Sequence, residues 1–409
     1  MRPALRSIAI QAAGSAATVA AALLVARELG LAAQGEFGLL RSWSDAALTL
    51  VVLGFPQGLL HLQYRLRVPV AALRPWVARY AGAWATAAAM LGVVAWFAWP
   101  VDGRLAWRTP VVVAAAAVPF AAAHLLWRAL ALREVGVVGY AWLTVAPATL
   151  TLLALLPVVM AGWRDGLAWV LLAAASLSAL FSWTLVRSAL RRLPAERADS
   201  GAPWSRRTLW AVGTETGGQN VLTALAPALL LSTASALGSP LAQIGVVALG
   251  LQVYQLFAVA AAYLAPMVYD RAARAELPMG GRELFDLLRA NATPRTLLGF
   301  GALALLAAGA LPWLWPAGAA TPLLVIAMAV AGAVSMAGRL LTTLLQARGA
   351  FRALTWNALG RLLLAVVLTV ALLRCGPASV AVPLALVMTE LTSLLWLLRL
   401  MPGAGTGRA

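Results

Sequence analysis

The sequence predicts an all-α, polytopic membrane protein: twelve transmembrane helices in two pseudo-symmetric six-helix lobes around a central cavity. Three observations predict it. Of the 409 residues, 62% are hydrophobic and 11% charged, with a mean hydropathy of +0.86, whereas soluble domains carry roughly 25% charged residues. Apolar windows of the roughly 20 residues that a spanning helix needs recur between charged or Pro/Gly-rich breaks. The charge is one-sided, with 31 basic side chains, all of them Arg, against 14 acids, for a net +17. In a soluble chain that excess would point to nucleic acid; here it marks cytoplasmic loops and a polar cavity, and no nucleic-acid partner is expected. The single Cys375 excludes an internal disulfide, and no Cys/His cluster offers a metal site.

The spans follow in order. The first, 8–26, is preceded by Arg2 and Arg6 and filled with small residues. It is too long for a signal-peptide core and the next span follows after a short turn, so it reads as an uncleaved helix. The second, 39–62, carries Arg41, Asp45 and Pro56. The third and fourth, 77–99 and 110–131, are rich in Ala and Val, the fourth with Pro119, His124 and Arg128. The fifth and sixth, 140–161 and 167–190, are almost uncharged. The seventh, 208–236, is interrupted by the polar run TETGGQN at 214–220. A Gly-Ser-Pro break at 238–240 separates it from the eighth, 243–268. The remaining four are 296–316, 321–346 with Arg339, 354–374 with Arg361, and 378–400 with Glu390. Prolines inside spans, such as Pro56, Pro147, Pro157, Pro227 and Pro266, are candidate kinks, and tryptophans near span ends read as interface belts.

Placing the N-terminus in the cytoplasm puts 23 Arg on the inner segments and six on the outer ones, with Arg339 and Arg361 left within spans. That asymmetry orients both termini to the cytoplasm. The basic break RSALRRLPAERADSGAPWSRR at 187–207 divides the chain into an N-terminal lobe, 1–190, a cytoplasmic linker, 191–206, and a C-terminal lobe, 207–409. Gly35 and Pro56 recur as Gly245 and Pro266 at one offset of 210, and LREVG at 132–136 matches LQARG at 345–349, as two related lobes would require.

The first span ends in LLVARELGLAAQGEFGLLRSW (23–43), followed by LTLVVLGFPQGLLHLQYR (48–65); the link QARGAFRALTWNALGR (346–361) is a Gly-bearing basic segment. These stretches resemble the Wzx-type polysaccharide and lipid-linked oligosaccharide flippases of the multidrug/oligosaccharidyl-lipid/polysaccharide exporter superfamily. The resemblance covers the whole chain in architecture and about 23–65, 243–271 and 341–365 in motif. It implies a bacterial inner-membrane transporter that moves an undecaprenyl-pyrophosphate-linked oligosaccharide, an O-antigen or exopolysaccharide repeat unit, by alternating access. Membrane lipids, polysaccharide polymerase and glycosyltransferases are the expected partners. The segment LLLSTASALGSP (229–240) departs from the pattern, lacking the charge many relatives carry there.

An ionised group at bilayer depth costs several kcal/mol and normally faces a cavity. Arg41, Arg339 and Arg361 are the candidate phosphate ligands, because the planar guanidinium fork binds phosphate oxygens bidentately; a basic residue in the place of Arg41 recurs in the flippases. Asp45, one turn beyond Arg41, can pair with it and tune it. Glu215, Gln219 and Asn220 are candidate cavity lining, with Gly217 and Gly218 serving either a bend or close packing. Gln11, Gln252, Gln255 and Asn357 are candidates for sugar hydroxyls or for interhelical bonds, and Trp43 and Trp356 for sugar stacking. His124 is either titratable lining or a packing residue. Glu390 either packs against an Arg of its own lobe or couples an ion. No cofactor is expected; H+ or Na+ coupling would rest on Asp45, Glu215 or Glu390.

Two other functions weigh against this one. An ion-coupled multidrug exporter of the same superfamily would favour an acidic cavity, whereas the intramembrane balance here is basic. A major-facilitator transporter would carry its signature between the second and third spans, and HLQYRLRVPVAALRP does not, although YDRAARAELPMGG (269–281) partly resembles the second-half version. An enzyme is not expected: the outer loops are short, and the absence of Lys rules out a P-loop.

Overall fold

The computed structural model describes residues 2–64, 68–98, 105–131, 135–192, 206–274, 322–347 and 350–400. Its described elements are helical: α1 Arg2–Glu28, α2 Leu31–Val52, α3 Phe55–Tyr64, α4 Val70–Ala98, α5 Leu105–Ala131, α6 Gly136–Met160, α7 Leu167–Arg192, α8 Arg206–Ala236, α9 Leu241–Arg274, α10 Pro322–Ala347, α11 Phe351–Leu373 and α12 Ala378–Arg399. The span expected at 296–316 lies outside the described residues. Seven helices among those described are long and apolar enough to cross a membrane, drawn from α1, α5, α6, α7, α10, α11 and α12. Their lipid-compatible faces show in exposed Leu153, Leu180, Leu363, Val367 and Leu395, a distribution that water would penalise and hydrocarbon accepts. The protein is a multi-pass membrane protein.

One expected span is two helices. The second span breaks at Leu53–Gly54, both with positive φ (34° and 72°), and α3 starts at Phe55. Pro56 explains the position: it has no N–H for the Val52 carbonyl and fits only the first turn of a helix. Pro119, Pro147, Pro157, Pro227 and Pro266, by contrast, lie within helices that run on through them.

The chain divides into two compact units, Met1–Leu29 with Glu36–Ala228, and Gly30–Gly35 with Leu229–Ala409. In the first, α5 packs on α7 and α4, and α6 on α1 and α7. Its core gathers Phe55, Leu59, Leu62, Leu73, Val77, Leu126, Leu130 and Leu209. Phe55 stacks on Tyr80 with ring centroids 4.1 Å apart, and Trp210 meets both rings edge-on. The Leu53–Gly54 corner lies against α8, where any side chain at Gly54 would strike the Gly213 carbonyl and one at Gly217 the Leu53 backbone. α8 is continuous through TETGGQN, so of the two roles open to Gly217, close packing is the one with contacts behind it.

In the second unit α9 packs on α10, and α12 on α10, α11 and α9. A smaller core holds Leu340, Leu341, Leu344, Leu345, Leu354 and Leu397. The side chain of Gln243 on α9 accepts from the Ala378 N–H at 3.2 Å, capping the start of α12. The start of α2 crosses the start of α9 with backbone on backbone. A methyl at Gly35 would strike the Leu241 carbonyl, and one at Gly245 the Leu31 carbonyl. The contacts are reciprocal, and Leu31 and Leu241 share the 210-residue offset of the two glycines.

Candidate functional site

The second unit holds a buried polar cluster assembled from four helices. Three contribute pairs at helical spacing, so that one face carries the polar groups: Ser335 and Arg339 on α10, Asn357 and Arg361 on α11, and Glu390 and Ser393 on α12, with Tyr254 added from α9. The Tyr254 hydroxyl donates to Glu390 Oε1 at 2.7 Å and lies 2.8 Å from Ser335 Oγ. A phenol has one proton, so Ser335 must donate to Tyr254, and a directed chain runs from serine through tyrosine to carboxylate. Arg361 Nη1 reaches the same Glu390 oxygen at 3.4 Å. Arg339 stands one turn beyond Ser335, near enough for its charge, like that of Arg361, to act on Tyr254. Its Nε is buried without a hydrogen-bond partner, as is Gln252 Oε1 on α9. Gln255 is half-buried on α9.

Asn357 is engaged elsewhere. Its Oδ1 accepts from Ser393 Oγ at 3.0 Å and its Nδ2 donates to the Ser393 carbonyl at 3.4 Å, which ties α11 to α12. Among the described residues the cluster therefore presents two guanidinium groups and one carboxylate. That is a net positive interior, able to attract an anion and to repel a cation.

In the first unit the expected residues stand apart. Arg41 is half-buried on α2, and Asp45, one turn on, is exposed and acted on by the Arg41 charge. His124 is buried between α5 and α7, its Nδ1 lying 2.5 Å from Ser182 Oγ and 3.2 Å from the Ser178 carbonyl. Ser182 donates its own proton to that carbonyl, so Nδ1–H is the donor and Nε2, buried without a partner, is left as an acceptor. These contacts are those of a packing histidine that fastens two helices. Gln11, Gln219 and Asn220 are half-buried, Trp43 is exposed, as is Trp356 on α11 of the second unit, and the Glu215 side chain lies outside the described residues. Arg128 stacks 5.7 Å over the Tyr140 ring.

Hydropathy and charge pattern give no sign of one feature of the first unit. Arg164 grips Glu36 with both arms of its fork, at 3.0 and 2.7 Å, at the edge of a cleft of about 270 Å³ lined also by Leu40, Pro110 and Asp165. Tyr254 and Ser335 were equally unmarked, although Ser335 lies at helical spacing from an intramembrane arginine and Tyr254 lies between two glutamines.

No protein-family model and no curated protein matches the chain. Solved structures do. The chain resembles an inward-facing multidrug resistance MATE family transporter of the MOP superfamily, at 15% identity over 96% of this chain and 97% of that one, with a TM-score of 0.65. It resembles the lipid II flippase MurJ in an inward closed conformation, at 13% identity over 97% and 87%, with a TM-score of 0.64. A MATE structure in complex with MaL6 aligns at 16% identity over 97% and 95%, with a TM-score of 0.61. These neighbours are membrane transporters and not enzymes, and the likeness establishes their fold for this chain.

Proposed function

We propose that this chain is a Wzx-type flippase that carries an undecaprenyl-pyrophosphate-linked oligosaccharide across the bacterial inner membrane by alternating access. One observation carries the reading: among the described residues, the buried cluster of the second unit sets two arginines, Arg339 and Arg361, against one carboxylate, Glu390. A sugar diphosphate cannot enter hydrocarbon unaided, because each ionised oxygen would lose its hydration. Guanidinium forks replace that hydration with charge-assisted bonds. Arg339 and Arg361 then hold the diphosphate, Gln252 and Gln255 hydrogen-bond sugar hydroxyls, and Arg41, tuned by Asp45, offers a phosphate contact in the first unit. Gln219 and Asn220 serve as further polar lining.

Two further points support the reading. MurJ, whose fold this chain shares, is a lipid II flippase. The reciprocal Gly35–Gly245 crossing is the contact an internal two-fold repeat produces, in keeping with lobes at 1–190 and 207–409 joined by the 191–206 linker. The arginine asymmetry puts both termini in the cytoplasm, where glycosyltransferases build the lipid-linked unit that a polymerase consumes on the other side.

The test is export. Replacing Arg339 or Arg41 by Ala should abolish surface polysaccharide in cells that still insert the protein, and purified protein in liposomes should translocate a fluorescent undecaprenyl-pyrophosphate glycan. Intact polysaccharide in both variants, or efflux of cationic dyes by the wild type without glycan movement, would instead favour a multidrug exporter.

A further inference from the structure

The Glu390 carboxylate is held unevenly. Its contact with Tyr254 is short, 2.7 Å, while the contact with Arg361 is single and long, 3.4 Å, and both fall on Oε1. A charge-assisted N–H···O⁻ bond normally closes to about 2.7–2.9 Å, and arginine with carboxylate tends to close two of them. Tyr254, itself anchored by Ser335, is therefore the principal partner and keeps the carboxylate short of a full pair with Arg361. On the adjoining helix the Arg339 Nε is buried with no acceptor. Among the described residues the cluster sets one carboxylate beside two guanidinium groups, and that carboxylate is tied back by Tyr254.

We propose that Glu390 is an internal competitor for Arg361, taking the position that a ligand phosphate would take, and that Tyr254 is the catch that limits this competition. Given the proposed phosphate site, a diphosphate that enters at Arg339 takes over the Arg361 Nη1 contact from a carboxylate that holds it loosely, and Glu390 stays with Tyr254. When the diphosphate leaves, Glu390 resumes its contact. Glu390 then sets the affinity of the site from below, keeping it weak enough for release, and Tyr254 is a positioning residue that acts only through Glu390.

The two residues should therefore shift anion affinity in opposite directions. The measurement is calorimetric titration of purified protein in phosphatidylcholine nanodiscs with inorganic pyrophosphate. Glu390→Gln removes the competitor and should bind about tenfold tighter, the weight of roughly one charge-assisted hydrogen bond. Tyr254→Phe frees the carboxylate to close on Arg361 and should bind severalfold weaker. The double variant should match Glu390→Gln, and Arg339→Gln should weaken binding in every background. A merely structural role would weaken binding in all of them.

If Glu390→Gln fails to fold, Glu390→Asp, whose carboxylate is one methylene shorter, must still bind tighter while Tyr254→Phe binds weaker; loss of affinity in both overturns the competition. Arg339-dependent binding without tightening in Glu390→Gln overturns the competition alone. Absence of Arg339-dependent binding in both wild type and Glu390→Gln overturns the phosphate site as well. The same titration in nanodiscs doped with undecaprenyl pyrophosphate separates the sources of the diphosphate. Competition by the lipid upholds the flippase reading, and its absence counts against that reading while leaving the role of Glu390 standing.

Discussion

Two arginine–carboxylate pairs in this molecule have opposite virtues. Arg164 and Glu36 meet in near-ideal bidentate geometry, at 2.7 and 3.0 Å, but their side chains are 44% and 24% exposed. Arg361 and Glu390 meet at one point, 3.4 Å apart, yet are only 15% and 5% exposed. Water and salt screen the first pair, so its good geometry stabilises little, by about 0–1 kcal/mol. For the second, breaking the pair removes a charge contact in a medium that solvates ions poorly. The quality of a contact and its importance are thus separate quantities, and surroundings decide the second.

The largest effect expected from this contrast is at Glu390. Glu390→Leu should lower the unfolding free energy by about 3–5 kcal/mol, because it removes the buried carboxylate that both Arg361 and Tyr254 contact. Thermal or denaturant unfolding of the detergent-solubilised protein checks this, and a loss below about 1 kcal/mol would break the contrast. Adding Arg361→Leu to that variant should recover most of the loss, since apolar replacement of both partners is often neutral; a double variant no more stable than the single would mean that the loss does not come from the Arg361 contact. Tyr254→Phe removes a hydrogen bond to a charged group and should cost about 1.5–3 kcal/mol in the same unfolding assay. The smallest effect belongs to Arg164→Ala, about 1 kcal/mol or less. It should fade between 0.05 and 1 M NaCl, as the Debye length falls to about 3 Å at the upper end. A salt-independent loss would place that pair in a far less watery setting than its exposure indicates.

The helical spans were legible because hydropathy records the one property a bilayer selects. The α2–α3 corner was not, since hydropathy is blind to backbone dihedrals: LVVLGFPQG is apolar across the break, and only the missing N–H of Pro56 marks it. Helix ends ran past the expected limits, as at α1 and α9, because arginines continue a helix as readily as leucine does. In the candidate site, Arg339, Arg361 and Glu390 were visible as ionisable groups in apolar runs, where their solvation penalty singles them out. Tyr254 and Ser335 were not, because either residue alone is commonplace in a membrane helix. Their meaning lies in a 2.7 Å and a 2.8 Å contact over separations of 136 and 81 residues, which no local pattern encodes. Asn357 was visible as a hydrogen bonder, but its use as a tie to Ser393 depends on a neighbouring helix.

The crossing of the α2 and α9 starts, where Gly35 and Gly245 each press on the other helix's carbonyl, limits how those two ends can move. Sliding one along the other by a residue would drive Ile244 or Val246 into a space sized for a hydrogen atom. Tilting the axes about the contact displaces no side chain there, since neither glycine has one. The joint therefore works as a ball bearing with a fixed seat: free to swivel, unable to slip.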